Sequence, residues 1–178
     1  MTERYLVLPR GINVGRGNRV PMAQLRSMLA DEGYADVATV LQSGNIIVTT
    51  RSTDPGEVTG AMERLLSDGF DVNVRCMVRT ADQVRAVLRR DPLAEVVTNP
   101  SRYLVNFLSE EPKPDLVAEI LGEDHRPEAI AIEGAEAYIW SPDGLARMTL
   151  SYAYLEKRLG VVATARNWNT VEKIAAKL

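Results

Sequence analysis

VATVLQSGNIIVTT, residues 37–50, reads as two short strands joined by a polar turn. Val37–Leu41 and Asn45–Thr50 are rich in β-branched residues, and Gln42-Ser43-Gly44-Asn45 is turn chemistry. What flanks this hairpin decides the fold. Upstream, RYLVLPR (4–10) is a buried-strand pattern. Pro21 then opens a helix in its first turn, with Met22, Leu25, Met28 and Leu29 as the apolar stripe and Gly33 as the stop. Downstream, Asp54-Pro55-Gly56-Glu57 has the form of a capping box. Val58, Met62, Leu65 and Leu66 carry that helix to near Gly69, and residues 71–79 give a fourth strand. The order β-α-β-β-α-β is that of a ferredoxin-like, split βαβ unit.

The second half repeats the theme. Thr80-Ala81-Asp82-Gln83 caps a connecting helix that Asp91-Pro92 closes. A strand follows at 102–109, then a helix at 113–121 with Leu116, Ile120 and Leu121 on its apolar side. Next comes a hairpin, 129–133 and 137–141, around Gly134. Two helices end the chain, Ser151–Leu159 stopped by Gly160, and Asn169–Leu178. Leu25, Leu29 and Leu41 correspond to Leu116, Ile120 and Ile132 at one constant offset, which also superposes QSGN on EGAE. The expected fold is therefore α+β: two ferredoxin-like units in tandem, the second incomplete, with C-terminal helices. The expected units are 1–79, βαββαβ, and 80–178, βαββα with the connecting and terminal helices, packed as one globule.

Composition narrows the function classes. The chain has 178 residues, 46 % apolar and 25 % charged, with a net charge of -3. That is an ordinary globular balance, and any anion binding must come from a local patch. One Cys and one His exclude a disulfide framework or zinc cluster within the chain. His125, in GEDHRPE, reads as a surface residue. Cys76 alternates with Val72, Val74 and Val78 on an apolar face, opposite Asn73, Arg75 and Arg79. The start, MTERYLVLPR, carries only a short apolar run before Arg10. Neither a signal peptide nor a membrane span is expected, and a cytoplasmic home is.

One junction departs from the repeat. Between the first strand and first helix lies RGINVGRGNRVP (10–21), with three Gly, two Asn, three Arg and no acid. The equivalent junction in the second half is a few residues around EEPKP. From Arg4 to Ala30 there are five Arg and no acid. Gly11, Gly15 and Gly17 let backbone N–H groups approach a ligand, and Arg10, Arg16 and Arg19 fork onto phosphate or carboxylate oxygens. Strands one and two of a split βαβ unit run the same way, so Gln42, Ser43 and Asn45 are expected beside this loop. TARNWNT (164–170) is a third polar cluster. Asn169 with Glu172 fits a cap for the last helix, and Arg166, Asn167 and Trp168 exceed what a cap requires. Gly15-Arg16-Gly17 lacks the third glycine of a dinucleotide fingerprint, and there is no P-loop. No carboxylate pair or nucleophile–base pair stands out, so the residues assign no catalytic activity.

RGINVGRGNRVPMAQLRSML, LQSGNIIV and LEKRLGVVATARNWNTVEKI resemble the hallmark stretches of a bacterial family described only as a domain of unknown function, number sixteen ninety-seven. The resemblance extends over the whole chain and implies an α/β fold of paired ferredoxin-like units, with no established activity, cofactor or substrate. Its motif positions are Arg10, Gly11, Asn13, Val14, Gly15, Asn18, Pro21, Gln42–Asn45 and Arg166–Thr170. Arg16-Gly17 stands where the family pattern leads one to expect Gly followed by Lys.

The expected function is a binding module for a small anionic ligand, bearing phosphate or carboxylate, with a nucleotide among the candidates. The expected ligand-binding residues are Arg10, Gly11, Asn13, Gly15, Arg16, Asn18, Arg19, Gln42, Ser43, Asn45, Arg166, Asn167, Trp168 and Asn169. No cofactor, metal or membrane contact is expected. Nucleic acid ranks lower, because NIIVTT has no aromatic for base stacking. The alternative is that these polar side chains satisfy buried backbone groups and the protein works through a macromolecular partner, protein or RNA.

Overall fold

The strand at the centre of the first half is apolar on both faces, and this places it. β1 (Glu3–Pro9) buries Tyr5, Leu6, Val7 and Leu8 completely. A strand with no polar face belongs in the middle of a sheet. A computed structural model describes all residues 1–178 and puts β1 there. It lies between β3 (Asn45–Thr50) and β4 (Cys76–Thr80), with β2 (Ala35–Val40) outside β3. The order is β2-β3-β1-β4, and every pairing is antiparallel. Helices α1 (Met22–Asp31) and α2 (Pro55–Phe70) cover the face that carries Tyr5, Val7, Ile46, Val48, Cys76 and Val78. Leu25, Leu29, Val58, Met62 and Leu66 fill that core, each contributing about 1.5–3 kcal/mol of apolar burial.

The second sheet has the same plan. β5 (Tyr103–Leu108) pairs with β7 (Glu136–Trp140) and with β8 (Ala163–Asn167), and β6 (Ala129–Glu133) lies outside β7. The order is β6-β7-β5-β8. Helices α4 (Pro114–Leu121) and α5 (Tyr152–Leu159) place Ile120, Leu155 and Leu159 on Leu108, Ala137, Ile139 and Ala163. The second unit is therefore complete, βαββαβ rather than βαββα. Its last strand is ATARN, which has neither bulk nor strong β propensity. Pairing with β5 makes it a strand.

Each last strand runs straight into a helix: α3 (Ala81–Arg90) after β4, and α6 (Trp168–Ala175) after β8. The chain divides into two compact units, Met1–Ala86 with Lys173–Leu178, and Val87–Glu172. The architecture is α+β, two four-stranded antiparallel sheets with six α-helices, consistent with a ferredoxin-like type.

Some local expectations need correction. The fourth strand begins at Cys76 rather than 71. α2 continues through Gly69 to Phe70, and Asp71 takes the left-handed cap at φ 54°. Leu121 is exposed at the end of α4, and Arg79, on the face of β4 opposite Cys76 and Val78 as alternation predicts, is buried. α6 starts at Trp168, so its cap is Asn167 and not Asn169.

Candidate functional site

The loop from Arg10 to Pro21 is shaped by its own side chains. Arg10 N donates to the Arg75 carbonyl (2.9 Å), which continues the β1–β4 ladder one step. Ile12 and Val20 turn inward and are fully buried with the first unit's core. Between them, Asn13 N donates to the Asn18 carbonyl (3.0 Å) and closes the tip. Asn13 and Asn18 have φ of 54° and 48°, a left-handed conformation that Asn tolerates because its short amide bonds locally. Asn13 Nδ2 donates to the Val20 and Gln42 carbonyls (2.9 Å each), and Asn13 Oδ1 accepts from Val20 N (2.9 Å). Asn18 Nδ2 donates to the Gly11 carbonyl (3.0 Å).

The QSGN turn stands against this loop, as the strand directions require. β1 and β2 are both antiparallel to β3 and therefore parallel to each other. Two contacts join loop and turn: Asn13 to the Gln42 carbonyl, and Ile12 over Gly44. Gly44 has φ 77°, and a Cβ there would meet Ile12 Cγ1 at 2.7 Å. Asn45 is fully buried and donates to the Val40 carbonyl (2.6 Å) and Ser43 Oγ (3.1 Å). Gly and Asn in QSGN are thus fixed by a close approach and by a buried carbonyl.

The outer part of the loop is different. Residues 14–19 are exposed, Val14 to 69 %. Arg16 and Arg19 take part in no hydrogen bond or ion pair, and neither does the Gln42 side chain. A pocket of about 330 Å³ lies here, lined by Asn13, Arg19, Val20, Pro21 and Gln42. The N-terminus of α1 follows, with no side-chain cap and no acid in its first turn. The Arg19 cation and the free Gln42 amide therefore line one pocket with Pro21, at the positive N-terminal end of α1.

Arg166, Asn167, Trp168 and Asn169 belong to the second unit and have contacts of their own there. Arg166 Nη1 donates to Thr164 Oγ1 (2.9 Å) and the Ala165 carbonyl (2.8 Å), and burial pushes its guanidinium down to about 10. Asn167 Oδ1 accepts from Thr170 N and Oγ1 (2.9 Å each). Trp168 stacks on Tyr103 with ring centres 4.7 Å apart, and Asn169 Nδ2 donates to Ser101 Oγ (3.3 Å).

Arg79 is buried, which alternation along the strand does not reveal. It occupies in β4 the place that Arg166 occupies in β8, and each guanidinium donates to the carbonyl of the preceding residue. The repeat would have revealed it had the last strand been recognised. Cys76 is buried, and burial pushes its thiol up to about 12. His125 Nε2 bonds the Ile120 carbonyl (2.7 Å) and its ring meets Tyr154 edge-on. No group of three or more His, Cys, Asp or Glu is placed to hold a metal ion, and no helix is long and apolar enough to cross a membrane.

A family model described as "Protein of unknown function (DUF1697)" matches residues 1–138, a span that includes both the loop and the QSGN turn. The chain belongs to this family. Among solved structures, it resembles the conserved bacterial protein SP0830 from Streptococcus pneumoniae, with a TM-score of 0.79 at 23 % identity. That likeness covers 99 % of each chain and shows that the two share the fold. No protein of curated function matches the chain.

Proposed function

We propose that the 10–19 loop with Gln42 binds a small anionic ligand carrying phosphate or carboxylate, a nucleotide being one candidate. One observation carries the proposal: Arg16 and Arg19 are unpartnered cations on a backbone that Asn13 and Asn18 already hold in shape. A pre-shaped loop avoids much of the ordering cost of binding. Arg16, Arg19 and Gln42 make the contacts, and Asn13, Asn18 and Asn45 position them. The two strand orders favour taking each unit as a split βαβ unit, whose first loop and second-strand turn share one end of the sheet.

A second reading has its own support. The side chains of Asn13, Asn18, Asn45 and Asn167 are all committed to nearby backbone or hydroxyl groups. On that reading the polar motifs are structural and the protein acts through a macromolecular partner. A low-salt thermal-shift screen with inorganic phosphate, sugar phosphates, nucleotides and short RNA separates the two. A ligand at 100 times its Kd adds about 2.7 kcal/mol. The expected result is a shift with one anion class that Arg16→Ala/Arg19→Ala abolishes while the unliganded Tm stays put. A shift that survives in the double variant, or none with any anion, removes the loop from the proposal.

A further inference from the structure

The second unit contains a pocket of opposite character. Beyond α3 the chain turns at Asp91, held at φ 32° ahead of Pro92. A non-glycine residue in that region is strained, and strain of this kind persists only where surrounding structure enforces it. A cavity of about 260 Å³ lies at this turn, beside the start of β5 and of α6. Its polar lining is Asp91, Tyr103 and Glu172, and its apolar lining is Ala94, Val97, Pro100 and Trp168. No Lys, Arg or His lines it. Three cations adjoin lining residues in sequence: Arg90 is paired with Glu136 (3.1 Å) and Glu133 (3.8 Å), Arg102 donates to the Pro142 carbonyl, and Lys173 is exposed.

Two polar atoms at this cavity, Asp91 Oδ1 and Tyr103 Oη, are buried and make no hydrogen bond of good geometry, though the carboxylate lies close enough to the phenol to act on it. Tyr103 is 1 % exposed. Burial, reinforced by the Asp91 charge, pushes its phenol up, so it is a neutral hydroxyl at ordinary pH. A desolvated carboxylate oxygen without a donor costs free energy that a bound cation recovers. Trp168 stacks on Tyr103, which fixes the plane of its ring at the pocket wall.

We propose that this pocket binds a primary ammonium group on a short apolar stem. The three N–H donors of an ammonium match three oxygen sites, Asp91 Oδ1, Tyr103 Oη and the Glu172 carboxylate. The indole of Trp168 offers a face to the cation, and Ala94, Val97 and Pro100 take up the methylenes. The volume suits an amine of a few carbons. A neutral alcohol of the same shape leaves the carboxylate uncompensated, and an anion is repelled.

The test is a titration of the full chain with n-butylammonium chloride, followed by tryptophan fluorescence and by calorimetry. Sodium chloride at equal ionic strength and n-butanol are the controls. Saturable binding of the amine, at least about tenfold tighter than butanol, is the expected result. Asp91→Asn is expected to weaken it about tenfold, and Glu172→Gln, at an exposed position, about threefold. If Asp91→Asn does not fold, Glu172→Gln and the amine-to-butanol ratio still decide. Absence of saturable binding up to about 50 mM would mean that the Tyr103 hydroxyl closes on Asp91 instead, and overturns the proposal. Equal affinity for butanol, or unchanged affinity in every folded variant, overturns it too.

Discussion

A Cβ at Gly44 would lie 2.7 Å from Ile12 Cγ1, and the backbone there has φ 77°. Two penalties therefore act on any side chain at this residue. The left-handed backbone costs a non-glycine residue about 1–2 kcal/mol. Crowding a filled core costs about 1–3 kcal/mol more. Gly44→Ala is expected to destabilise the protein by about 3 kcal/mol in urea denaturation. Only the second penalty depends on Ile12. Ile12→Ala alone costs about 2–5 kcal/mol, because it opens a cavity beneath a fully buried position. Combined, the two substitutions should cost at least about 1 kcal/mol less than their sum. Strict additivity would mean that Ile12 swings aside freely and does not select glycine in the turn.

Among the elements, β8 and α6 most repay comparison with the sequence. Each last strand ends in a residue that caps the following helix. Thr80 Oγ1 accepts from Gln83 N (3.2 Å) while Gln83 Oε1 accepts from Thr80 N (2.9 Å). Asn167 Oδ1 accepts from Thr170 N (2.9 Å) at the equivalent place. Asn167→Ala is expected to lower stability by about 1 kcal/mol. Asn169→Ala, whose only hydrogen bond is a 3.3 Å contact with Ser101, should stay within about 0.5 kcal/mol. Denaturant midpoints for the pair distinguish which asparagine is the cap. The first unit was legible because its signals are strong: an apolar β1, a clear turn in QSGN, and Asp54 accepting from Gly56 N (2.8 Å) at the start of α2. β8 was not, because small and polar residues become a strand only through β5, a contact no local pattern encodes. The missed strand also shifted the cap from Asn167 to Asn169. The loop's placement beside QSGN followed from strand direction alone. The role of its asparagines in holding that loop depended on Val20 and Gln42 carbonyls that spacing does not reveal.

Across the whole molecule, buried groups that gain negative charge at high pH outnumber those whose change opposes them. Burial pushes the Cys76 thiol and the Tyr138 phenol each up to about 12, and Tyr103 and Tyr5 shift the same way. A group whose folded pKa lies above its unfolded value contributes fully below the unfolded pKa and loses that contribution as pH rises through the folded one. For Cys76 the window opens near 9, and for the tyrosines near 10. Arg166 acts in reverse. Its guanidinium is pushed down to about 10, so the cost of burying its charge is relieved as pH climbs from there toward 12.5. One opposing group does not cancel four. On the acid side, Arg158 and Arg126 hold the Glu123 and Asp124 carboxyls below their usual range. Their contribution fades as pH falls through those depressed values. These pairs are exposed to solvent, so their effect is screened and small. Stability should therefore decline more steeply between pH 9 and 11 than between pH 5 and 4. Urea midpoints across that range measure both limbs. Cys76→Ala with Tyr138→Phe removes two of the four groups and should flatten the alkaline limb while leaving the acid limb unchanged. An alkaline limb of undiminished slope in the double variant would assign it to groups other than these buried ones.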